Sequence, residues 1–173
     1  GEARAAVLER ARAVGARVVD ATGATLHPAL VPLPGAHQED NLRVAVRLLE
    51  EAKAAGVAVR LDRLPAATRA TRWPGRLERV PGRPPLLLDG AHNPAGARAL
   101  AAHLRGGPDF VLLFAAMVDK DVRGLARELF PLASGLVLTR APLARAAAPG
   151  ELARRAGRLA RGAHLVPTVG RAL

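Results

Sequence analysis

Two short stretches gather the side chains that could do chemistry. In residues 84–94, PPLLLDGAHNP, an apolar run stops at a carboxylate, an imidazole and an amide: Asp89, His92 and Asn93. In residues 115–121, AAMVDKD, a second apolar run gives way to Asp119, Lys120 and Asp121. Together these groups could neutralise an anion, accept hydrogen bonds from hydroxyls and move a proton near neutral pH. Each also has a plainer reading. Asp-Gly marks ordinary turns, and Asn93 before Pro94 suits a helix cap. One aspartate of 119–121 suits a cap as well, with Lys120 in solvent. Local chemistry leaves both readings open. Arg76 follows Gly75 in RWPGR, where a turn could aim it at an anion, and Trp73 in the same stretch is expected to pin the linker to the domain surface. Met117 is read as packing.

Elements at the right places would bring these loops together. The run 86–88 reads as a parallel strand buried on both faces, and Pro94 opens a helix predicted over 95–104. The pattern then alternates: strand 110–114, helix 121–130, strand 136–139, helix 149–159 and a short strand around Leu165. Strands separated by helices of about ten residues predict right-handed crossovers and a parallel sheet. The fold class is therefore α/β, a mainly parallel sheet flanked by helices. In such sheets ligands bind at the carboxyl ends of the strands, where Asp89, His92, Asp119 and Lys120 would face one crevice.

Upstream, residues 2–14 have helical spacing, and ARVVDA after Gly15 reads as a short strand. A Gly-, Thr- and Pro-rich loop covers 22–36. The clearest helix follows, HQEDNLRVAVRLLEEAKAAG, with Glu39 and Asp40 in its first turn, Asn41 near its start and Gly56 closing it. After a short segment at 57–71, the stretch RWPGRLERVPGRPP reads as a turn-rich connection. The domain boundary is placed there, giving 1–71 and 72–173.

Composition narrows the classes. A chain of 173 residues, half of them apolar, can bury a substantial core. No apolar run approaches the roughly 18 residues of a membrane span, no signal-peptide region opens the chain, and cytoplasm is the expected location. The absence of cysteine removes disulfides and thiolate chemistry. A net charge of +11 invites a nucleic-acid reading, yet only Lys53 and Lys120 are lysines, and three Phe and one Trp are the only aromatic residues. The arginines lie scattered over predicted helix faces (Arg4, Arg10, Arg12; Arg43, Arg47; Arg154, Arg155, Arg158). A solvated helix surface explains them better than a base-stacking face. Small anionic substrates suit the charge.

Four segments taken in order, GAHQEDN, RWPGRLE, LLLDGAHNP and AAMVDKD, resemble the folylpolyglutamate synthase and dihydrofolate synthase family of Mur-type ligases. They cover most of 35–123, and LVLTRAPLARAAAPGEL resembles the family's next strand, loop and helix. The resemblance implies ATP-dependent amide formation between a pteroate or folate carboxyl group and the amine of L-glutamate, through an acyl phosphate. It implies that Asn41, Arg76 and Asp89 contact the nucleotide and that His92 lies near the incoming amino acid and the transferred phosphate. Asn93, Asp119 and Lys120 are further candidates, Asp119 and Lys120 belonging to a family signature. Residues 1–71 then correspond to the tail of a central ATPase domain, and 72–173 to most of the C-terminal domain.

The same resemblance implies a Gly-rich phosphate loop and Mg2+ ligands, and no GxxxxGK[ST] pattern occurs here. Both are expected upstream, and a last strand downstream, so that the chain reads as a monomeric fragment, inactive alone. No metal ligand is assigned to this chain. Two other readings compete: another Mur-type amino-acid ligase, which RWPGRLE and DGAHNP oppose, and a non-catalytic basic module for nucleic acid or a protein partner.

Overall fold

The computed structural model describes residues 2–22 and 37–173. The expected loop at 22–36 therefore lies outside the described residues except for Thr22, as do the first two residues of GAHQEDN. The described residues form two compact units that meet in sequence between Thr71 and Arg72.

The first unit is helical. Helix α1 spans Glu2–Ala13 and buries none of its residues. Helix α2, His37–Ala54, carries Glu39 and Asp40 in its first turn, where carboxylates complement the helix dipole. Val46 is its buried apolar residue, and Gly56, at φ +88°, turns the chain just beyond its end. A 3₁₀ turn at Leu61–Arg63 leads into α3, Leu64–Ala70, with Pro65 in the first turn, a helix not foreseen in 57–71. The strand expected from ARVVDA is absent among the described residues, where 16–20 has no regular structure. A strand needs a ladder partner for its N–H and C=O groups, and none among the described residues pairs with this segment.

The second unit is an α/β layer. Strands β3 (Val111–Phe114), β4 (Gly135–Leu138) and β5 (His164–Leu165) form a parallel sheet in that order. Val111 to Phe114 pair with Gly135 to Leu138, and Val137 and Leu138 with His164 and Leu165. Helices α5 (Val122–Leu129) and α6 (Pro149–Ala156) make the crossovers, and α4 (Pro94–Leu104) packs on α5. A short α7, Val169–Ala172, closes the described chain. Both crossover helices run on into 3₁₀ turns, Phe130–Leu132 and Gly157–Ala160.

The core lies between this sheet and these helices. Val122, Leu125, Leu138 and Leu152 are almost fully buried, and Ala97 and Ala101 are entirely so. Each buried Leu or Val contributes on the order of 1.5–3 kcal/mol. Small residues on α4 let its axis approach α5 closely. Phe114 and Phe130 meet edge to face with ring centroids 5.1 Å apart.

The run 86–88 departs from expectation. It forms β2, Leu86–Leu88, paired antiparallel with β1, Glu78–Val80, in a separate two-stranded sheet with Glu78 opposite Leu88 and Val80 opposite Leu86. Five residues, 81–85, join the two strands. So short a link returns the chain antiparallel, because a parallel crossover needs about a dozen residues. Leu88 is 42% exposed, so the strand is not buried on both faces. The stretch 72–85, expected to be connection alone, thus contains β1. Trp73 is 62% exposed, more than the expected anchor pinned to its unit's surface would be.

Candidate functional site

The site is built from two loops that precede helices α4 and α5. After β2, Asp89 turns its carboxylate back on the backbone. One oxygen, Oδ2, accepts the Leu77 N–H at 3.1 Å, and Oδ1 accepts the Ala91 N–H at 2.8 Å. The first bond ties the start of the hairpin to the residue just past its end. Leu77 needs that tie: it is buried, and its φ of +47° is a left-handed conformation that costs a leucine about 1 kcal/mol or more. Gly75, at φ +71°, supplies the other left-handed step, and its N–H donates to Glu78 Oε2 at 2.7 Å. Between these two residues the backbone aims Arg76 across the following loop. A Cβ placed on Gly90 would stand 3.1 Å from Arg76 Nη1, so the guanidinium lies directly on the Gly90 backbone. The structure thereby brings Arg76 and Asp89 together.

The other residues of this loop have definite tasks. His92 is exposed, with Nδ1 3.0 Å from the Gly90 carbonyl. A carbonyl only accepts, so Nδ1 carries the hydrogen and Nε2 is left to face outward. Asn93 caps α4, its Oδ1 accepting the Gly96 N–H at 2.8 Å, with Pro94 at the first helical position. The plainer reading of Asn93 is the one the geometry carries.

The second loop is held from three sides. Asp121 caps α5 through the Gly124 N–H at 2.9 Å. Val118 N–H donates to Arg145 O at 2.9 Å, Ala147 N–H donates to Ala116 O at 2.9 Å, and Met117 bridges Ala146. Arg155 of α6 donates from Nη1 to Val118 O at 2.9 Å and from Nη2 to Lys120 O. On this frame Lys120 Nζ lies 3.0 Å from Asp119 Oδ2, and Arg145 Nη1 lies 3.6 Å from Asp119 Oδ1. The hydrogen bond from Lys120, then the backbone N–H of Asp119 itself, and the charges of Lys120 and Arg145 hold the Asp119 carboxyl below its ordinary value of 3.8. Lys120 is therefore paired and only partly exposed.

The two loops meet where α4 and α5 begin. A Cβ on Gly124 would lie 2.6 Å from Pro94 Cγ and 2.4 Å from Asp121 Oδ2, so the two helix starts touch without room for a methyl group. The expectation that Asp89 and His92 share a parallel-sheet edge with Asp119 and Lys120 is corrected here, because β2 lies outside the parallel sheet and only the starts of α4 and α5 are brought together. Beyond β4 and β5, at the same edge, a cleft of about 550 Å³ is lined by Arg140, Pro142, Leu143 and Thr168. Asn41 belongs to the other unit, on the first turn of α2, where its Nδ2 donates to Gln38 Oε1 at 3.0 Å.

Leu77, Gly90, Gly124, Arg145 and Arg155 were not singled out for these tasks by sequence. Arg155 was read as a solvated helix-face arginine and is instead a clamp on a loop. Only PGR followed by Leu carried a signal, a turn whose second left-handed residue is not glycine. Among the described residues no group of three or more His, Asp or Glu could hold a metal ion. No helix among them is long and apolar enough to cross a membrane.

A parallel sheet flanked by helices, with Asp119, Lys120 and Arg145 on the loops at its carboxyl edge and Arg76 and Asp89 on a separate antiparallel hairpin, defines an α/β domain. The chain belongs to the Mur ligase family, whose glutamate ligase domain model matches residues 75–173. It is similar to a dihydrofolate synthase/folylpolyglutamate synthase of Mycobacterium tuberculosis, 38% identical over 141 residues that make up 78% of this chain and 29% of that protein. A folylpolyglutamate synthase of Lacticaseibacillus casei is 30% identical over 115 residues, 65% of this chain and 27% of the relative. Among solved structures, the M. tuberculosis folylpolyglutamate synthase complexed with ADP and AMPPCP superposes with a TM-score of 0.68 at 34% identity, covering 82% of this chain and 33% of that one. The chain thus spans about a third or less of the length of these relatives. The α/β class and the resemblance read from the four motifs both hold.

Proposed function

We propose that this chain supplies the C-terminal share of an ATP-dependent ligase that joins L-glutamate to dihydropteroate or a reduced folate. The observation that carries this reading is the Arg76 guanidinium laid across Gly90 and fixed there by the Asp89 clasp on Leu77. An arginine fork matches two phosphate oxygens at once, which suits a nucleotide tail. Asp89 keeps lone pairs beyond the two backbone N–H groups it accepts, and these suit ribose hydroxyls. Asn41, on the α2 start of the first unit, is a nucleotide contact on the resemblance alone.

The reaction runs in two transfers. The acceptor carboxylate takes the γ-phosphoryl group of ATP, giving an acyl phosphate and ADP. The glutamate amine then attacks the acyl carbon, and phosphate leaves with the former carboxylate oxygen. Cationic groups lower the cost of charge in both steps, and exclusion of water protects the activated acyl group. Lys120 and Arg76 supply such charge, and His92 Nε2, an acceptor while Nδ1 carries the hydrogen, is available for the proton that the amine gives up. Asp119 steadies Lys120, and Asn93 acts through the start of α4. The Mg2+ that accompanies ATP finds no ligand set among the described residues, so no step here is assigned to it. The working location is the cytoplasm and the working form a monomer.

The test is radiolabelled glutamate incorporation by the product of the complete native reading frame, with dihydropteroate and tetrahydrofolate as alternative acceptors. ATP-dependent incorporation that is lost in Arg76→Ala supports the reading. A purified, nucleotide-binding protein that incorporates no glutamate on either acceptor refutes it, and salt-sensitive binding of nucleic acid in its place would favour the basic-module reading.

A further inference from the structure

We infer that Arg155 is a positioning residue for the ligand-facing loop 117–121. Loops at a sheet edge are mobile unless tied down, and a lysine on such a loop loses affinity for its ligand by the ordering it must undergo. This loop is tied by an arginine 35–37 residues later in the chain. Its guanidinium spans two carbonyls, those of Val118 and Lys120, so it brackets Asp119 and fixes the backbone on both sides of it. Glu151 Oε1, one helical turn back on α6, lies 3.7 Å from Arg155 Nη1 and steadies the head group. The side chain is 30% exposed, and its bond to the Lys120 carbonyl is the more buried of the two.

The fork geometry is the point. A lysine offers one point charge and can satisfy one carbonyl well, whereas the planar fork holds both at a fixed separation. Arg155 touches no ligand in this arrangement. It acts through Lys120 and Asp119, on the face where, given the proposed reading, the nucleotide is held by Arg76 and Asp89 and the remaining anionic substrates are the acceptor carboxylate and glutamate. Misplacing a binding group by about 1 Å costs up to about 100-fold. Loss of Arg155 should therefore fall on these substrates, glutamate among them, and spare ATP.

The experiment compares Arg155→Ala, Arg155→Lys and Arg154→Ala in the product of the complete native reading frame. Arg154 is the exposed neighbour on the same helix. Two readouts are taken: the kinetic constants for glutamate and ATP, and amide hydrogen exchange at Val118, Lys120 and Val122, whose N–H groups bond to Arg145, Met117 and Lys120 carbonyls. Arg155→Ala should speed exchange at these three amides and lower kcat/KM for glutamate by about 10- to 100-fold, chiefly through KM, with the KM for ATP within about twofold. Arg155→Lys should recover part of the loss, and Arg154→Ala should match the unaltered protein. Unchanged exchange in Arg155→Ala overturns the inference whatever the activity, and so does an equal loss for ATP and glutamate. Faster loop exchange in a protein with no glutamate-dependent turnover at all would keep the clamp and reject the ligase reading, which separates the two failures.

Discussion

Gly124→Ala inverts the usual sign of a helix substitution. Replacing glycine by alanine within a helix ordinarily stabilises by up to about 1 kcal/mol. At Gly124 the new methyl carbon would stand 2.4 Å from Asp121 Oδ2 and 2.6 Å from Pro94 Cγ. The aspartate can rotate away, but it then gives up the α5 cap, which is worth about 1 kcal/mol. The proline ring cannot rotate, so α4 must shift, and overpacking of this kind costs about 1–3 kcal/mol. Setting the propensity gain against the lost cap leaves a net destabilisation of about 1–3 kcal/mol. Gly150 is the control: it lies in the first turn of α6 with nothing within 4 Å of its would-be Cβ. Gly150→Ala should be neutral or stabilising by up to about 1 kcal/mol. Exchange of core amides such as Leu113 and Val137 reads the global opening of this unit separately from the first. If Gly124→Ala slowed that exchange as Gly150→Ala does, the reasoning that α4 and α5 begin in contact would be refuted.

Three further outcomes follow from the same geometry. Asp89→Ala should weaken ADP binding and also cost about 1–3 kcal/mol of stability, because it strands the Leu77 and Ala91 N–H groups, whereas Arg76→Ala should weaken ADP binding with stability within about 0.5 kcal/mol; equal stability losses in urea titrations would contradict the clasp. Asn93→Ala should cost about 1 kcal/mol through the α4 cap and leave ADP affinity unchanged, as calorimetric titration would check. The Asp119 carboxyl, held low by Lys120, contributes stability that is fully present above the ordinary 3.8 and lost as pH falls through its depressed folded value. Carbon-13 NMR should place its midpoint below 3.8 and move it upward in Lys120→Met; a midpoint at 3.8 that ignores the substitution would count against the ion pair.

The alternating strands and helices after 94 were legible because the helices have marked starts, Asn93 and Pro94 at α4, Asp121 at α5 and Pro149 at α6. The three leucines at 86–88 misled because a run that short has no period, and only the five-residue link decides its direction. ARVVDA failed for a related reason, since strand propensity without a ladder partner among the described residues forms no strand there. Asp89, His92 and Lys120 were visible as polar groups closing apolar runs. What that pattern cannot contain is the long-range part of the site: Asp89 reaching back to Leu77, Arg155 reaching back to Val118 and Lys120, and the space that only a glycine at 90 or 124 leaves open. Those contacts exist only after the chain has folded.

The central claim is that residues 75–77 and 89–91 together face a nucleotide. Titration of the nitrogen-15-labelled protein with ADP tests it most directly. Saturable shifts at the amides of Gly75, Arg76, Gly90 and Ala91, lost in Arg76→Ala, are the predicted result. Saturable shifts confined to the arginine-bearing helix faces, or none at these four amides, would contradict it.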